Sequence, residues 1–290
     1  MLRAVGPTGD VYEDAVARFT EDGLRVMRAV RFAAALEFAL DPETERGIGP
    51  ALPSLAKVSK ERISDELRKL LAANQPSRGL KIAERSGIIA LIAPELAAGL
   101  VAWRTVEPDP IARWLARVDA VSVDVRLGAL FAELTPPDAI TKRLDRAAVQ
   151  HATTVLKRLK FSNEEATRAG TLVGLASMRL CSAWTEPEAR RVLADVTRTH
   201  AQAAVELVTA DGATELAGFA RAILARGDAL AVGDLAVGGK DLISALAIPA
   251  GPSVGRILAA LIDRALADPA INTREQLIEL ARGLELELAR

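Results

Sequence analysis

The sequence predicts an all-α protein, and three observations predict it. Half of the residues are hydrophobic but only 3% are aromatic, so alanine and leucine supply most of the apolar content. Both are strong helix formers, whereas the aromatic residues that favour strands are scarce. Apolar residues recur at spacings of three and four, the repeat of one helical face. Several of these runs are preceded by Ser, Thr or Asp, whose side chains cap free N–H groups at a helix start.

Taken in order, residues 1–19 read as irregular, because Gly6, Pro7 and Gly9 cluster as turn formers. A long helix is expected from Thr20 to about Leu40. Thr20 would be its N-cap, Glu21 and Asp22 would lie at its positive end, and Leu24, Met27, Val30 and Ala34 would form its apolar face. Asp41 caps a short helix, and Gly47, Gly49 and Pro50 break the chain. Ser59 caps the next helix, whose buried face is Ile63, Leu67, Leu70 and Leu71. A further helix stops at Gly87 and a short apolar one follows. Helix succeeds helix from about 110 to 208, with breaks at Pro136-Pro137 and Glu186-Pro187. Residues 215–226 form another helix, and 228–252 are punctuated by Gly and Pro. Two helices close the chain, from about Val254 to Ala267 and from about Thr273.

The length of 290 residues suggests about two domains. A formal net charge of −1 argues against a histone-like binder but leaves room for local basic patches. Two histidines and one cysteine exclude a zinc finger, a multi-histidine metal centre and a disulfide scaffold. The single cysteine fits a reducing, cytoplasmic setting. No apolar run reaches the ~18–20 residues of a membrane span, so no membrane partner is expected.

Four clusters could carry chemistry. Arg18, Glu21, Asp22, Arg25, Arg28 and Arg31 form the densest. On one helix Asp22 and Arg25 are neighbours at i, i+3. A carboxylate acceptor beside a forked donor can read the edge of a flat heterocycle, and the same spacing suits a solvated face of intrahelical ion pairs. The second cluster, Lys60 to Lys69, reads as surface ion pairs. The third, Gly233 to Asp241, fails as a phosphate loop, because Gly239 stands where the lysine is needed. The fourth, Gly251 to Gly255, opens a helix whose free N–H groups could meet a phosphate or simply begin the helix. His151 reads as a partly buried histidine rather than a general base.

Glu21-Asp22-Gly23-Leu24-Arg25 followed by Arg28-Ala29-Val30-Arg31-Phe32 resembles the E-D-x-x-R and R-x-x-R-F motifs of bacterial tRNA nucleotidyltransferases (CCA-adding enzymes) and the related poly(A) polymerases. Leu2-Arg3-Ala4-Val5-Gly6 is similar to the family's I-R-A-V-G element at the end of its catalytic head. Val58-Ser59-Lys60-Glu61-Arg62-Ile63, with Glu66-Leu67, resembles the neck motif V-S-x-E-R-I-x-x-E-L. The stretch from Asp234 to Ala281 resembles the tail, with its G-P-x-(I/V)-G and N-T-R-E segments, except that Gly238 replaces the usual Asn.

The resemblance implies an elongated helical neck, body and tail. Residues 1–19 would be a remnant of the head or a linker, 20–98 a nucleotide-reading neck, 99–210 a body and 211–290 a tRNA-binding tail. It implies that Asp22 and Arg25 read the Watson–Crick edge of incoming CTP or ATP, with Arg3 and Arg28 beside them. Arg31, Lys240, Gly251, Gly255 and Arg256 would contact the tRNA 3′ end. The family's transfer chemistry needs Mg²⁺ on a G-S-x-x-x-D-x-D carboxylate pair. No such motif occurs in this sequence, so no catalytic or metal-binding residue and no cofactor is assigned to it. Met1 falls where an internal residue would be expected. That favours truncation over gene decay or a head on a separate chain. Arg126 to Leu134 resembles an HD-type hydrolase segment, but Ala132 and Glu133 stand where the His-Asp pair would fall, so the body is expected to be a degenerate, metal-free HD-like domain. Two alternatives remain at this stage: a stand-alone helical RNA-binding protein without transferase activity, and a helical protein-interaction module.

Overall fold

The computed structural model describes residues 1–288, and these are 73% helical. Among them the β pairing is an isolated parallel bridge between Leu2 and Leu40. Two compact units are present. The first comprises Met1–Thr141, Asp145–Leu180 and Ala210–Gly212, and the second Lys142–Leu144, Cys181–Thr209 and the residues from Ala213 onward.

The first unit opens with α1 (Val11–Glu21) and α2 (Leu24–Ala35), not with one helix from Thr20. The turn formers end earlier than expected. Asp10 is the cap, its carboxylate accepting from the Glu13 N–H at 2.9 Å, and Ala15 and Phe19 bury the inner face of α1. Buried Asp14 then fixes the preceding loop, accepting from the Thr8 N–H at 3.1 Å and from its hydroxyl at 2.9 Å. Burial opposes the charge on Asp14, but these bonds outweigh it and hold the carboxyl below its usual range.

The break between α1 and α2 falls at Asp22, whose backbone is extended (φ −141°, ψ 102°), and the helical Gly23 after it sits tight against α4. A Cβ on Gly23 would stand 2.3 Å from the Ser54 carbonyl carbon and 2.4 Å from the Leu55 nitrogen, so backbone meets backbone there. After Asp41, α3 (Pro42–Arg46) forms as expected, with the Asp41 carboxylate capping Glu43 and Thr44. The expected break at Gly47–Pro50 is only a bend. α4 (Ile48–Leu55) follows at once, because Pro50 falls in its first turn, where no N–H partner is needed, and Ile48, Ala51 and Leu55 are buried.

The helix capped by Ser59 is α5 (Lys60–Leu71), and all four residues of its expected apolar face are buried. Each such side chain contributes on the order of 1.5–3 kcal/mol. α6 (Pro76–Arg85) stops before Gly87, which has φ +83°, and α7 (Ile88–Ile92) is the short apolar helix. α2 packs on both α5 and α6. The rest of the unit is α8 (Pro94–Ala102), α9 (Pro110–Ala120), α10 (Val123–Phe131), α11 (Arg146–Arg158) and α12 (Asn163–Val173). α12 packs on both α10 and α11. His151 is exposed, contrary to expectation, because the buried face of α11 is Ala148, Ala152, Val155 and Leu156.

The second unit holds α13 (Glu186–Ala210, its last residue excepted), α14 (Thr214–Arg226), α15 (Gly239–Leu246), α16 (Pro252–Ala267) and α17 (Arg274–Leu288). Leu242, Val254, Ile257, Leu261, Leu277 and Ala281 are the buried centre of its C-terminal helices.

Candidate functional site

Asp22 and Arg25 flank the α1–α2 break instead of sharing one helix. One Asp22 oxygen accepts from the Leu24 N–H at 3.1 Å and starts α2, and the other lies 3.8 Å from the Arg62 guanidinium. Arg25 donates to Glu21 at 2.6 Å and to the Arg18 carbonyl at 3.2 Å. The hydrogen bond from Arg25 is the main reason the Glu21 carboxyl sits below its ordinary range. The motif thus places an acceptor and a forked donor on either side of a glycine that cannot carry a side chain.

Beside the break lies a hollow of about 330 Å³. Leu2, Phe19, Ala29, Phe32 and Leu40 give it an apolar lining, and four arginines line it as well: Arg3, Arg18, Arg25 and Arg28. Arg3 reaches it because the N-terminal segment is tied at two points. Leu2 donates to the Ala39 carbonyl at 2.8 Å and its own carbonyl accepts from Asp41 at 2.7 Å, while the Ala4 N–H donates to the buried Thr44 hydroxyl at 2.9 Å. Three of the four residues expected at the nucleotide, Arg3, Arg25 and Arg28, therefore meet in one place. Asp22 borders the break without lining the hollow. Arg18 is the lining residue that motif reading omitted, and its charge in the densest cluster was the available signal.

Arg31 is placed differently. Its guanidinium donates to buried Glu66 at 2.6 Å, which also takes Lys69 at 3.3 Å. Arg31 thereby supplies the cation that a carboxylate buried in α5 needs. The two motif regions interlock in this way: Glu66 of the second holds Arg31 of the first, and Arg62 faces Asp22.

The segment at Ala132–Glu133 also has a clear physical role. Glu133 is fully buried and accepts from Arg117, from Arg113 at 2.5 Å and from Arg179 at 3.5 Å. Asp211 takes Arg117 at 2.9 Å and Arg113 at 3.0 Å, Glu107 takes Arg113, and Arg179 stacks on Trp103 at 3.4 Å. Burial opposes the charge on Arg117, yet Asp211 and Glu133 prevail and hold it above its ordinary range. Burial dominates at Arg179 and pulls it down to about 10. Side chains that could face a metal are here committed to neutralising one another. No local pattern announces this cluster, since Asp211 lies 98 residues from Arg113.

Comparison with known proteins bears on both regions. Residues 37–100 match the family model described as "Probable RNA and SrmB- binding site of polymerase A", and residues 138–281 match "tRNA nucleotidyltransferase domain 2 putative". A CCA-adding enzyme of Geobacillus stearothermophilus is 31% identical over 96% of this chain and 62% of its own length. One from Leuconostoc mesenteroides is 42% identical over 31% of this chain and 20% of its own. A crystal structure of the Bacillus stearothermophilus CCA-adding enzyme in complex with CTP aligns at a TM-score of 0.63 and 28% identity, covering 94% of this chain and 65% of that one. This chain belongs to the CCA-adding enzyme family. It spans less than two thirds of the length of these relatives.

The segments from Asp234 to Ala281 that resemble the family's tail lie in the second unit. α15 and α16 begin side by side: a Cβ on Gly239 would lie 3.4 Å from the Val254 side chain. Lys240, Gly251, Gly255 and Arg256 are all exposed there, with open space at the two glycines. The N-T-R-E residues serve the fold. Asn272 accepts from the Ala236 N–H at 2.9 Å and donates to the Asp234 carbonyl at 3.1 Å, and Arg274 pairs with Asp241 at 2.5 Å. Asp241 in turn caps α15 through the Gly238 N–H at 2.8 Å. Among the described residues, no helix is long and apolar enough to cross a membrane.

Proposed function

We propose that this chain is the nucleotide-selecting and RNA-binding C-terminal portion of a CCA-adding or poly(A) polymerase-type enzyme, acting on the tRNA 3′ end with CTP and ATP. In this reading residues 20–98 are the neck, 99–210 a degenerate HD-like body and 211–290 the tail. The observation that carries it is the cation-lined hollow beside the Asp22–Gly23–Arg25 break.

Asp22 accepts from the exocyclic amino group of cytosine or adenine, and Arg25 donates to the adjacent ring nitrogen. UTP and GTP do not present that pair to the same two groups, and a matched pair of this kind gives about 1–3 kcal/mol of discrimination. Arg25 must first leave Glu21. That contact is half-exposed and costs little to break. Arg3 and Arg28 supply positive charge to the phosphates. Lys240, Arg256 and the helix starts near Gly251 and Gly255 hold the tRNA backbone. The Mg²⁺-binding carboxylates of nucleotidyl transfer are absent from this sequence, so no bond-making step is assigned to its residues.

The test is Arg25→Ala in a complete enzyme carrying this segment. Selection of CTP and ATP over UTP should fall by roughly 5- to 100-fold with tRNA affinity nearly unchanged. Equal nucleotide selection by variant and wild type contradicts the assignment.

A further inference from the structure

Arg18 lines the α1–α2 hollow but stands outside the E-D-x-x-R and R-x-x-R-F segments. It lies one turn before Glu21 on α1, and its guanidinium is 3.5 Å from the Glu21 Oε2 atom. The same oxygen accepts from Arg25 at 2.6 Å across the break. One carboxylate oxygen therefore faces two guanidinium groups, one in a short contact and one in a long contact. Arg25 has a further acceptor, the Arg18 carbonyl at 3.2 Å, and that carbonyl also receives the Asp22 N–H at 3.5 Å. Each acceptor that holds Arg25 thus has another donor already beside it. This matters because Arg25 must leave both acceptors to reach a base. A carboxylate that loses its guanidinium loses a charge-assisted bond, and a nearby cation that closes on it restores much of that loss.

We infer that Arg18 is a positioning residue for nucleotide selection: it takes over Glu21 as Arg25 swings to the base, and so keeps Arg25 available for reading. The inference rests on the base-reading role of Arg25 proposed above and adds how that residue is released. The exchange is short. The Arg18 guanidinium needs to move only about 0.6–0.8 Å closer to reach the usual length of such a bond. The side chains are 48% exposed at Arg18, 57% at Glu21 and 36% at Arg25, so each turns without opening a packed core. The energies are those of exposed ion pairs, small enough for an exchange to be reversible on every catalytic cycle. Without Arg18, Glu21 and the base would compete for Arg25. The exchange also accounts for a cation in the hollow that touches neither Asp22 nor the motif that follows it.

The test is steady-state kinetics of a complete enzyme carrying this segment. Arg18→Gln should raise the KM for CTP and ATP about 2- to 5-fold and leave kcat and the KM for tRNA unchanged, because ground state and transition state lose the same contact. Discrimination against UTP should fall by the same factor, since UTP does not present the matched pair. Arg18→Lys keeps a cation beside Glu21 and should recover most of the loss. In a Glu21→Gln background there is no charge to take over, so Arg18→Gln should raise the KM for CTP no further. A loss that persists in full in that background shows Arg18 meeting the nucleotide directly and overturns the inference. An unchanged KM for CTP and ATP in Arg18→Gln also overturns it. If Arg25→Ala impairs selection and Arg18→Gln does not, this inference falls alone. If Arg25→Ala leaves selection intact, the base-reading assignment falls and takes this inference with it. Thermal melting at the wild-type temperature confirms that the variants are folded.

Discussion

Glu133→Ala is predicted to be among the most destabilising single substitutions in the chain. The carboxylate is fully buried, and three guanidinium groups converge on it: those of Arg117, Arg113 and Arg179. With it, three carboxylates face three cations. Without it, Glu107 and Asp211 are left against all three, so one positive charge is buried without a partner. Breaking a buried pair in this way costs about 3–5 kcal/mol. For a protein of this size that corresponds to a fall in Tm of roughly 6–20 °C. It is a large share of the 5–15 kcal/mol on which a typical domain relies. Urea denaturation followed at 222 nm measures the loss, and Glu133→Gln, which keeps the acceptor but not the charge, should fall between wild type and alanine. Replacing Arg117 and Glu133 together by leucine should lose less than the sum of the single changes, because a buried pair exchanged for apolar groups leaves no charge behind. If Glu133→Ala stays within about 1 kcal/mol of wild type, the cluster does not hold the first unit together and the reasoning fails.

Three further outcomes follow from the geometry. Glu165, held by Arg68 at 2.7 and 3.0 Å and by the Ser162 cap, has its carboxyl lowered to about 2. A lowered carboxyl stabilises the fold at pH values above its ordinary range and loses that contribution as pH falls towards 2. Glu165→Gln should therefore cost about 1–2 kcal/mol at pH 7, after allowance for partial exposure, and nearly nothing at pH 2 in the same urea assay. Gly23→Ala should cost on the order of 1–3 kcal/mol, because the new methyl group meets the Ser54–Leu55 backbone, and thermal melting reads it directly. Asn272→Ala should loosen the second unit by about 1–2 kcal/mol through loss of its bonds to Ala236 and Asp234, seen as faster hydrogen exchange at the Ala236 amide.

The fold was legible wherever a cap and a face agreed. Ser59 with Ile63, Leu67, Leu70 and Leu71 is such a case, and α5 forms where expected with all four buried. α1 was hidden because the turn formers Gly6, Pro7 and Gly9 lie just before its cap, and its core contribution is short, chiefly Ala15 and Phe19. The close approach at Gly23 was equally hidden: it is made by the backbone of α4, some thirty residues on, and no local pattern records it. The candidate site was legible as residues but not as partnerships. The motif names Arg25, Arg28 and Arg31 alike, yet Arg28 lines the hollow while Arg31 turns to Glu66, 35 residues away. The cluster around Glu133 is the extreme case, since an assembly of Glu107, Arg113, Arg117, Glu133, Arg179 and Asp211 has no signature at any fixed spacing.

The most direct test of the account is the binding of tRNA by this chain on its own, measured from low to physiological salt. The account predicts binding at low salt that weakens steadily as salt rises, with log K falling linearly against log salt because each phosphate contact releases counterions. Failure to bind tRNA even at low salt contradicts it.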